Sequence, residues 1–354
     1  MEQKMPLIEV ERLEKVFTVP RRRPDARGLL GRLRRETVLV RAVDGVSFTV
    51  ARGEMIGYLG PNGAGKSTTV KMLTGILVPS GGRVRVAGLD PVRQRVELAR
   101  RIGVVFGQRS QLWWDLPLVD SFELLRHIYR VSAARHRAHL AALVELLDLG
   151  PLLSTPVRQL SLGQRMRGEL TAALLHDPEV LYLDEPTIGL DVVAKARMRE
   201  VLLHLNRKRG VTVLLTTHDM GDVERLCRRV LVLDRGRLVY DGEIEALKQR
   251  FGTERTVVVD LEEPAPPLAV PGARVVRVEG PRQWLRFHRA QATAAEIVAA
   301  VAAHARLVDL TVEEPAVEEV IRHIYEHGAA EAAPASPGSA HPHSAQQESF
   351  EGSL

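Results

Sequence analysis

Residues Gly60-Pro61-Asn62-Gly63-Ala64-Gly65-Lys66-Ser67 place glycines and a Lys-Ser pair in the spacing G-x-x-x-x-G-K-[ST]. Such glycines let the backbone curl so that several N–H groups point at one phosphate. The apolar run Met55 to Leu59 before them reads as a strand. Thr68 to Leu77 after them reads as a helix, with Val70, Leu73 and Leu77 on one face. A helix start adds partial positive charge, Lys66 can reach the β- and γ-phosphates, and the Ser67 hydroxyl can ligate Mg²⁺. A plain glycine-rich turn is the competing reading.

A second acidic candidate, Asp184-Glu185, follows the apolar stretch Val180 to Leu183. If the two strands are neighbours in a parallel sheet, Asp184 lies beside the phosphate loop and holds Mg²⁺ through water. Glu185 then polarises a water in line with the γ-phosphate. An exposed acidic turn is the alternative.

Elements that could position these groups follow from periodicity. Leu7 to Val19, Val43 to Val50, Gly82 to Ala87, Ile102 to Phe106, Val180 to Leu183, Val211 to Thr216 and Val230 to Leu233 read as strands. Val119 to Leu149, Gly163 to Leu175, Ala194 to Lys208 and Gly221 to Arg228 read as helical. Pro20 to Arg41 breaks the strand pattern as an arginine-rich insertion. Alternating strands and helices predict an α/β fold with a parallel sheet, whose sites lie at the carboxyl ends of its strands. From about Thr256 the pattern changes to strands at Thr256 to Leu261, Ala273 to Val278, Trp284 to His288 and Leu307 to Val312. Thr293-Ala294-Ala295-Glu296 reads as a capping box opening a helix to about His304, and Val317, Val320, Ile321 and Ile324 fit a final helix.

The expected organisation is a first domain over 1–250, with the insertion at 20–41 and a helical subdomain at about 109–165. A small α+β domain over 251–327 and a disordered Ala/Pro/Ser/Gly/His tail over 328–354 complete it. His341 and His343 in that tail read as solvated, with adventitious metal binding as the other reading.

Length and composition agree with this plan. The chain has 354 residues, 45% hydrophobic and 26% charged, enough for a large core and a second, smaller one. No apolar run reaches the ~18 residues of a membrane span. The first residues, Met1-Glu2-Gln3-Lys4-Met5, lack the apolar core of a secretory signal. The one cysteine, Cys227, excludes an internal disulfide and a cysteine-based zinc site, and reads as a small core residue. The net charge of +5 is too mild to demand a nucleic-acid partner. Its arginines cluster at 21–23, 27, 32, 34–35 and 41, which suits either anionic lipid headgroups or a solvated basic loop.

Further pieces follow in order: Gln108 after the strand Ile102 to Phe106, Leu160-Ser161-Leu162-Gly163-Gln164 before a helix, Asp191 closing Ile188-Gly189-Leu190-Asp191, and His218 after Leu215-Thr216-Thr217. Together with the phosphate loop and Asp184-Glu185, this series resembles the nucleotide-binding subunit of an ABC transporter, over about Leu7 to Leu247. The resemblance implies a P-loop NTPase core with a helical subdomain, ATP hydrolysis, Mg²⁺, a second nucleotide-binding subunit and separate integral membrane permease subunits. It implies a peripheral position on the cytoplasmic face of the membrane, no nucleic acid among the partners, and a homodimer unless a partner carries a different signature.

The resemblance also assigns roles. Phe17 would stack on adenine, a core Phe being the alternative, and Gly60 to Thr68 would hold the phosphates. Gln108, or more weakly Gln111, would touch Mg²⁺ and the lytic water. Ser161, Gly163 and Gln164 would contact the γ-phosphate held by the opposite subunit, and Asp191 would join the subunits. His218 would hold the water and Glu185. Trp113 and Trp114 would line the groove for a permease coupling helix, core packing being the alternative. Leu162 stands where the family has Gly, and Leu resists positive φ. The C-terminal domain and the segment 107–115 resemble drug- and antibiotic-export ATPases. An import ATPase, or a soluble ATPase acting on ribosomes or DNA, are the rivals.

Overall fold

The computed structural model describes residues 6–21, 36–107, 109–252 and 254–331. Gln108, residues 22–35 of the insertion, Met1 to Met5 and the tail from 332 lie outside the described residues. The chain divides into two compact units at 248/249, and residues 316–321 group with the first.

The first unit is built on two sheets. Strands β1 (Pro6–Arg21), β2 (Glu36–Ala51) and β4 (Gly81–Val86) form an antiparallel sheet in the order β2-β1-β4. Strands β3 (Met55–Leu59), β5 (Ile102–Phe106), β6 (Val180–Asp184), β7 (Thr212–Thr216), β8 (Arg229–Asp234) and β9 (Arg237–Glu243) form a second, in the order β5-β6-β7-β3-β8-β9. Its first five members in that order run parallel, and β9 is antiparallel to β8. Every residue of β3 and β7 is buried, as expected for central strands covered on both faces. The sheets share one core, in which Leu13, Val46 and Val50 meet Ile56, Leu231 and Leu233, and the Phe48 and Tyr58 rings lie 5.7 Å apart.

Helices α1 (Lys66–Leu73), α2 (Arg95–Leu98), α3 (Leu118–Tyr129), α4 (Ala133–Leu146), α5 (Leu162–Leu174), α6 (Val192–Arg209), α7 (Met220–Leu226) and α8 (Ile244–Phe251) complete this part of the chain. The single helical pattern read over 119–149 is two helices. Arg130 ends α3 in the left-handed region (φ 57°), and the Ser132 side chain caps α4 by accepting from Arg135 N.

The structure departs from the sequence pattern in two places. Pro20, Arg21 and residues 36–41 do not break the strand pattern. They extend the β1/β2 ladder, with Phe17 opposite Val40 and Pro20 opposite Thr37. The acidic strand β6 is also not the neighbour of β3, because β7 runs between them.

In the second unit, β10 (Glu254–Leu261), β11 (Ala273–Glu279), β12 (Arg282–His288) and β13 (Leu307–Glu313) form an antiparallel sheet in the order β11-β12-β10-β13. Helix α9 (Ala294–His304) packs Ile297 and Val301 with Val257, Val259, Leu285 and Phe287. Its capping box is present: Glu296 N donates to Thr293 Oγ1 at 3.2 Å and Thr293 N to Glu296 Oε2 at 2.7 Å. Helix α10 (Val317–Glu331) begins with Val317, Val320 and Ile321 buried, and Val317 N donates to Glu224 of α7 at 3.3 Å. Among the described residues no helix is long and apolar enough to cross a membrane.

Candidate functional site

The parallel order brings the carboxyl ends of β3, β6 and β7 to one edge. After β3 the chain turns through Gly60 to Gly65 into α1. Two glycines here are demanded by geometry. A Cβ on Gly60 would stand 2.8 Å from Leu233 O, and one on Gly65, at φ +101°, would stand 2.3 Å from Ala42 O. The turn encloses a cavity of about 420 Å³ lined by Pro61, Asn62, Gly63, Gly65, Lys66, Ser67 and Thr68 on one side and Glu185, Ile188 and His218 on the other. Ala64 is buried beneath it.

Lys66 is 7% exposed, and its Nζ donates to Gly60 O at 2.6 Å and Pro61 O at 3.2 Å. Burial pulls its pKa down, opposed by the charges of Glu185 and Asp184. Asp184 Oδ1 accepts from Ser67 Oγ at 3.3 Å and from Thr216 Oγ1 at 2.5 Å. Thr216 thus holds Asp184 from the end of β7, the strand between β6 and β3. No motif flags this residue; the only clue is its place at a strand end, two positions before His218. The paired oxygens of Ser67 and Asp184 suit a hard divalent cation that takes its remaining ligands from phosphate and water. Among the described residues no group of three or more His, Cys, Asp or Glu side chains could hold a metal by itself.

Glu185 faces the same cavity with φ +58°, a backbone conformation that costs a non-glycine residue roughly 1–2 kcal/mol. The turn is held by Glu185 N donating to Thr216 O at 3.0 Å, and the carboxylate pairs with His218 Nε2 at 2.9 Å. Burial raises the Glu185 pKa above the usual carboxylate value. The charges of His218 and Lys66 pull it back, and Asp184 raises it further. A carboxylate with raised basicity, oriented by a histidine and facing a lysine, can take a proton from a water near a phosphate.

Ser161, Gly163, Gln164 and Asp191 are not in this cavity. They line a separate one of about 280 Å³, with Arg167, Leu190 and Arg197. Ser161 caps α5 in a capping box with Gln164, and Asp191 caps α6 by accepting from Ala194 N at 2.7 Å. Leu162 begins α5 without a positive φ, so the strain expected of a Leu at that position is not there. Its side chain lies over Gly189, where an added Cβ would stand 2.6 Å from Leu162 Cδ2.

Phe17 is half-buried, not a core residue, with Lys15 Nζ 5.2 Å from its ring centroid. Its strand partner Val40 lies two residues from Ala42, whose carbonyl packs on Gly65. Gln111 does not reach the cavity: its side-chain amide donates to Glu169 O at 3.1 Å and Val104 O at 3.4 Å. Trp113 and Trp114 are exposed, not core, at 38% and 52%. A larger hollow of about 770 Å³, against β4 and the 88–94 turn, shares no residue with either cavity.

Residues 43–188 match the family model described as ABC transporter. The chain is 36% identical over 289 residues to the daunorubicin resistance ATP-binding protein DrrA3 of Streptomyces coeruleorubidus, covering 80% of this chain and 91% of that protein. The chain belongs to the ABC transporter ATP-binding family. This ABC ATPase is also 44% identical over 206 residues to a Nod factor export ATP-binding protein I of Paraburkholderia xenovorans, covering 58% of this chain and 67% of that one. A solved structure of an ATP binding subunit of an ABC transporter superposes with a TM-score of 0.57 at 26% identity, over 69% of this chain and 92% of that one. The ABC ATPase thus binds and hydrolyses ATP on an α/β core.

Proposed function

We propose that this chain is the ATP-hydrolysing subunit of an exporter, acting as a pair of copies on the cytoplasmic face of separate membrane permeases. The observation that carries this reading is the Glu185–His218 pair at 2.9 Å, facing Lys66 and Ser67 across one cavity. The names of both relatives reported above, one for drug resistance and one for export, support export over import or soluble work.

In this reading Lys66 and the Gly60–Thr68 loop hold the β- and γ-phosphates, and Phe17 takes the adenine. Ser67 and Asp184 hold Mg²⁺, which when bound neutralises phosphate charge. Glu185 accepts a proton as water attacks the γ-phosphorus, the bond to the β-phosphate oxygen breaks, and ADP departs. His218 keeps Glu185 turned toward the water.

Half of the site is supplied by the second copy. Ser161 and Gly163 line a different cavity from the one lined by Lys66, and Gly163 has room for a Cβ within its own chain, the nearest atom being Ala194 Cβ at 3.5 Å. A bare helix tip that its own fold does not require suits close approach by the mate's γ-phosphate. Asp191 stands beside that tip to join the copies. Exposed Trp113, Trp114, Leu124 and Ile128 offer apolar surface to a permease.

The test is Mg²⁺-dependent phosphate release from ATP by the purified chain, followed by ATP-driven transport in inverted membrane vesicles carrying the chain and its permeases. Export predicts accumulation of the substrate in the vesicle lumen. A requirement for an external solute-binding protein would reassign the chain to import.

A further inference from the structure

Strand β13 closes one end of the second unit's sheet, in the order β11-β12-β10-β13. From Val308 to Glu313 every residue of it is exposed, Val308 at 69%, Leu310 at 39% and Val312 at 38%. A strand edge offers its outward N–H and C=O groups to another strand. Which groups point outward follows from the inner ladder. Glu262 N donates to Arg306 O at 3.0 Å, whereas Leu261 N donates to Pro281 O at 3.0 Å. Carried back through β10, that alternation bonds its even-numbered residues toward β13 and its odd-numbered ones toward β12. Asp309, Thr311 and Glu313 pair with Asp260, Val258 and Thr256, so they bond inward. Leu310 and Val312 therefore turn N–H and C=O to the open edge. Leu310 N agrees with this, because it donates to the Asp309 carboxylate of its own strand at 2.7 Å.

The two ends of this sheet differ. Strand β11 carries Arg274, Arg277 and Glu279, and its register shifts between Val275 and Arg277, in mid-strand. Charges and bulges of that kind discourage strand addition. In β13 the shift lies at the start, between Leu307 and Asp309, and Asp309 to Glu313 run in unbroken register with β10. Leu310 and Val312 stand opposite Val259 and Val257, on the face where α9 packs, so apolar side chains line the open edge.

We propose that β13 pairs antiparallel with β13 of a second copy, centred on Leu310, which gives two copies a contact that needs no nucleotide. A two-fold axis normal to the sheet lets each residue face only one of like parity, so the possible registers are few. Centred on Leu310, Leu310 faces itself, Val312 faces Val308 and Thr311 faces Asp309. Just beyond the strand ends, Arg306 faces Glu314 with opposite charge. Centred on Thr311, Asp309 faces Glu313 twice; centred on Asp309, that acid faces itself. Apolar and opposite-charge pairs directly across a ladder stabilise it and like charges oppose it, so the Leu310 register is selected. Seven residues of edge fall well short of the roughly 1,200 Å² of a stable interface. The pairing is therefore weak between free chains and counts where two copies are already close. It adds to any ATP-dependent contact and does not rest on the reading of the ATP site.

The test is disulfide trapping of the full chain without nucleotide, with Cys227→Ala throughout so that each variant carries one thiol. Chains are held at about 1 mM, the local concentration of two copies on a shared partner. Leu310→Cys is expected to form a covalent dimer at least tenfold faster than Val276→Cys, a thiol on the other sheet edge. Adding Val312→Pro to Leu310→Cys removes an outward N–H that β10 does not use, so the sheet should stay folded while the trapping rate falls at least tenfold. The melting curve of each variant checks the fold. In membranes carrying the permeases, the Leu310→Cys adduct is expected to join two copies of this chain. Equal rates at the two edges, a rate unmoved by Val312→Pro in a folded chain, or an adduct with a permease in place of a second copy would overturn the proposal. A chain that traps in this way but fails to hydrolyse ATP would instead overturn the proposed function.

Discussion

Lys66 is unfavourable to the fold that holds it. It is nearly inaccessible, burial pulls its pKa down, and its ammonium is satisfied by two carbonyls of its own loop, Gly60 O and Pro61 O. A lowered lysine pKa means the folded state disfavours the charged form relative to the unfolded chain, so the group opposes folding at every pH below its folded pKa. Lys66→Met removes the charge and keeps most of the stem. It leaves two carbonyls without that donor, at a cost of about 1–3 kcal/mol, but it also ends the desolvation of an ammonium, which offsets much of that cost. Folding stability should therefore change by no more than about 1–2 kcal/mol. Nucleotide binding should change far more. Hydrogen bonds from a charged donor contribute about 1.5–3 kcal/mol each, so two of them to the β- and γ-phosphates amount to about 3–6 kcal/mol. That is a loss on the order of 10²- to 10⁴-fold in ATP affinity. Thermal melting without nucleotide and titration calorimetry with ATP measure the two quantities on one preparation. A Lys66→Met chain that melts many degrees lower yet binds ATP normally would refute the reasoning, since the lysine would then be a structural strut.

Three further outcomes follow from the same geometry. Glu185 acts as base only when ionised, and burial raises its pKa, so kcat should fall on its acid side at a pH above the ordinary carboxylate value of 4.5. The His218 charge lowers that pKa, so His218→Ala should move the acid limb to still higher pH; a limb that stays put would remove Glu185 from the role. Leu162→Gly loses part-buried packing over Gly189 and should lower stability by about 1–2 kcal/mol with kcat within threefold, because Leu162 carries no positive φ to relieve; a tenfold change in kcat would contradict this. Burial, reinforced by Asp222, pushes the Cys227 thiol up to about 12, so the native chain should resist a thiol reagent at pH 8 and release one equivalent only on unfolding.

Residues that work at strand ends were legible in the sequence, because each follows a short apolar run whose end the pattern marks. Lys66, Ser67, Asp184, Glu185 and His218 all arrive at one edge for that reason. Neighbour order is not local information. Nothing between residues 55 and 216 says that β7 separates β3 from β6, and so Thr216, which bonds Asp184 from β7, went unmarked. The arginine-rich stretch misled because an exposed two-stranded extension leaves no buried/exposed alternation to read. Residues 37–41 are all exposed and Val38-Leu39-Val40 is an unbroken apolar run, yet the ladder with β1 carries through them. Leu162 was read against a glycine that other chains carry, whereas its own helical start accepts any side chain and Gly189 gives way instead. Strand β9 and helix α8 were not read at all. They are short, and β9 has one buried residue among seven, too few to set a period.

The most direct test of the account is the association state of the Glu185→Gln chain with ATP and Mg²⁺, measured by light scattering during size exclusion. The account predicts a nucleotide-loaded dimer that does not turn over and that falls apart when Ser161 is also replaced by a bulky Phe. A Glu185→Gln chain that binds ATP as a monomer, or hydrolyses it at the wild-type rate, would contradict it.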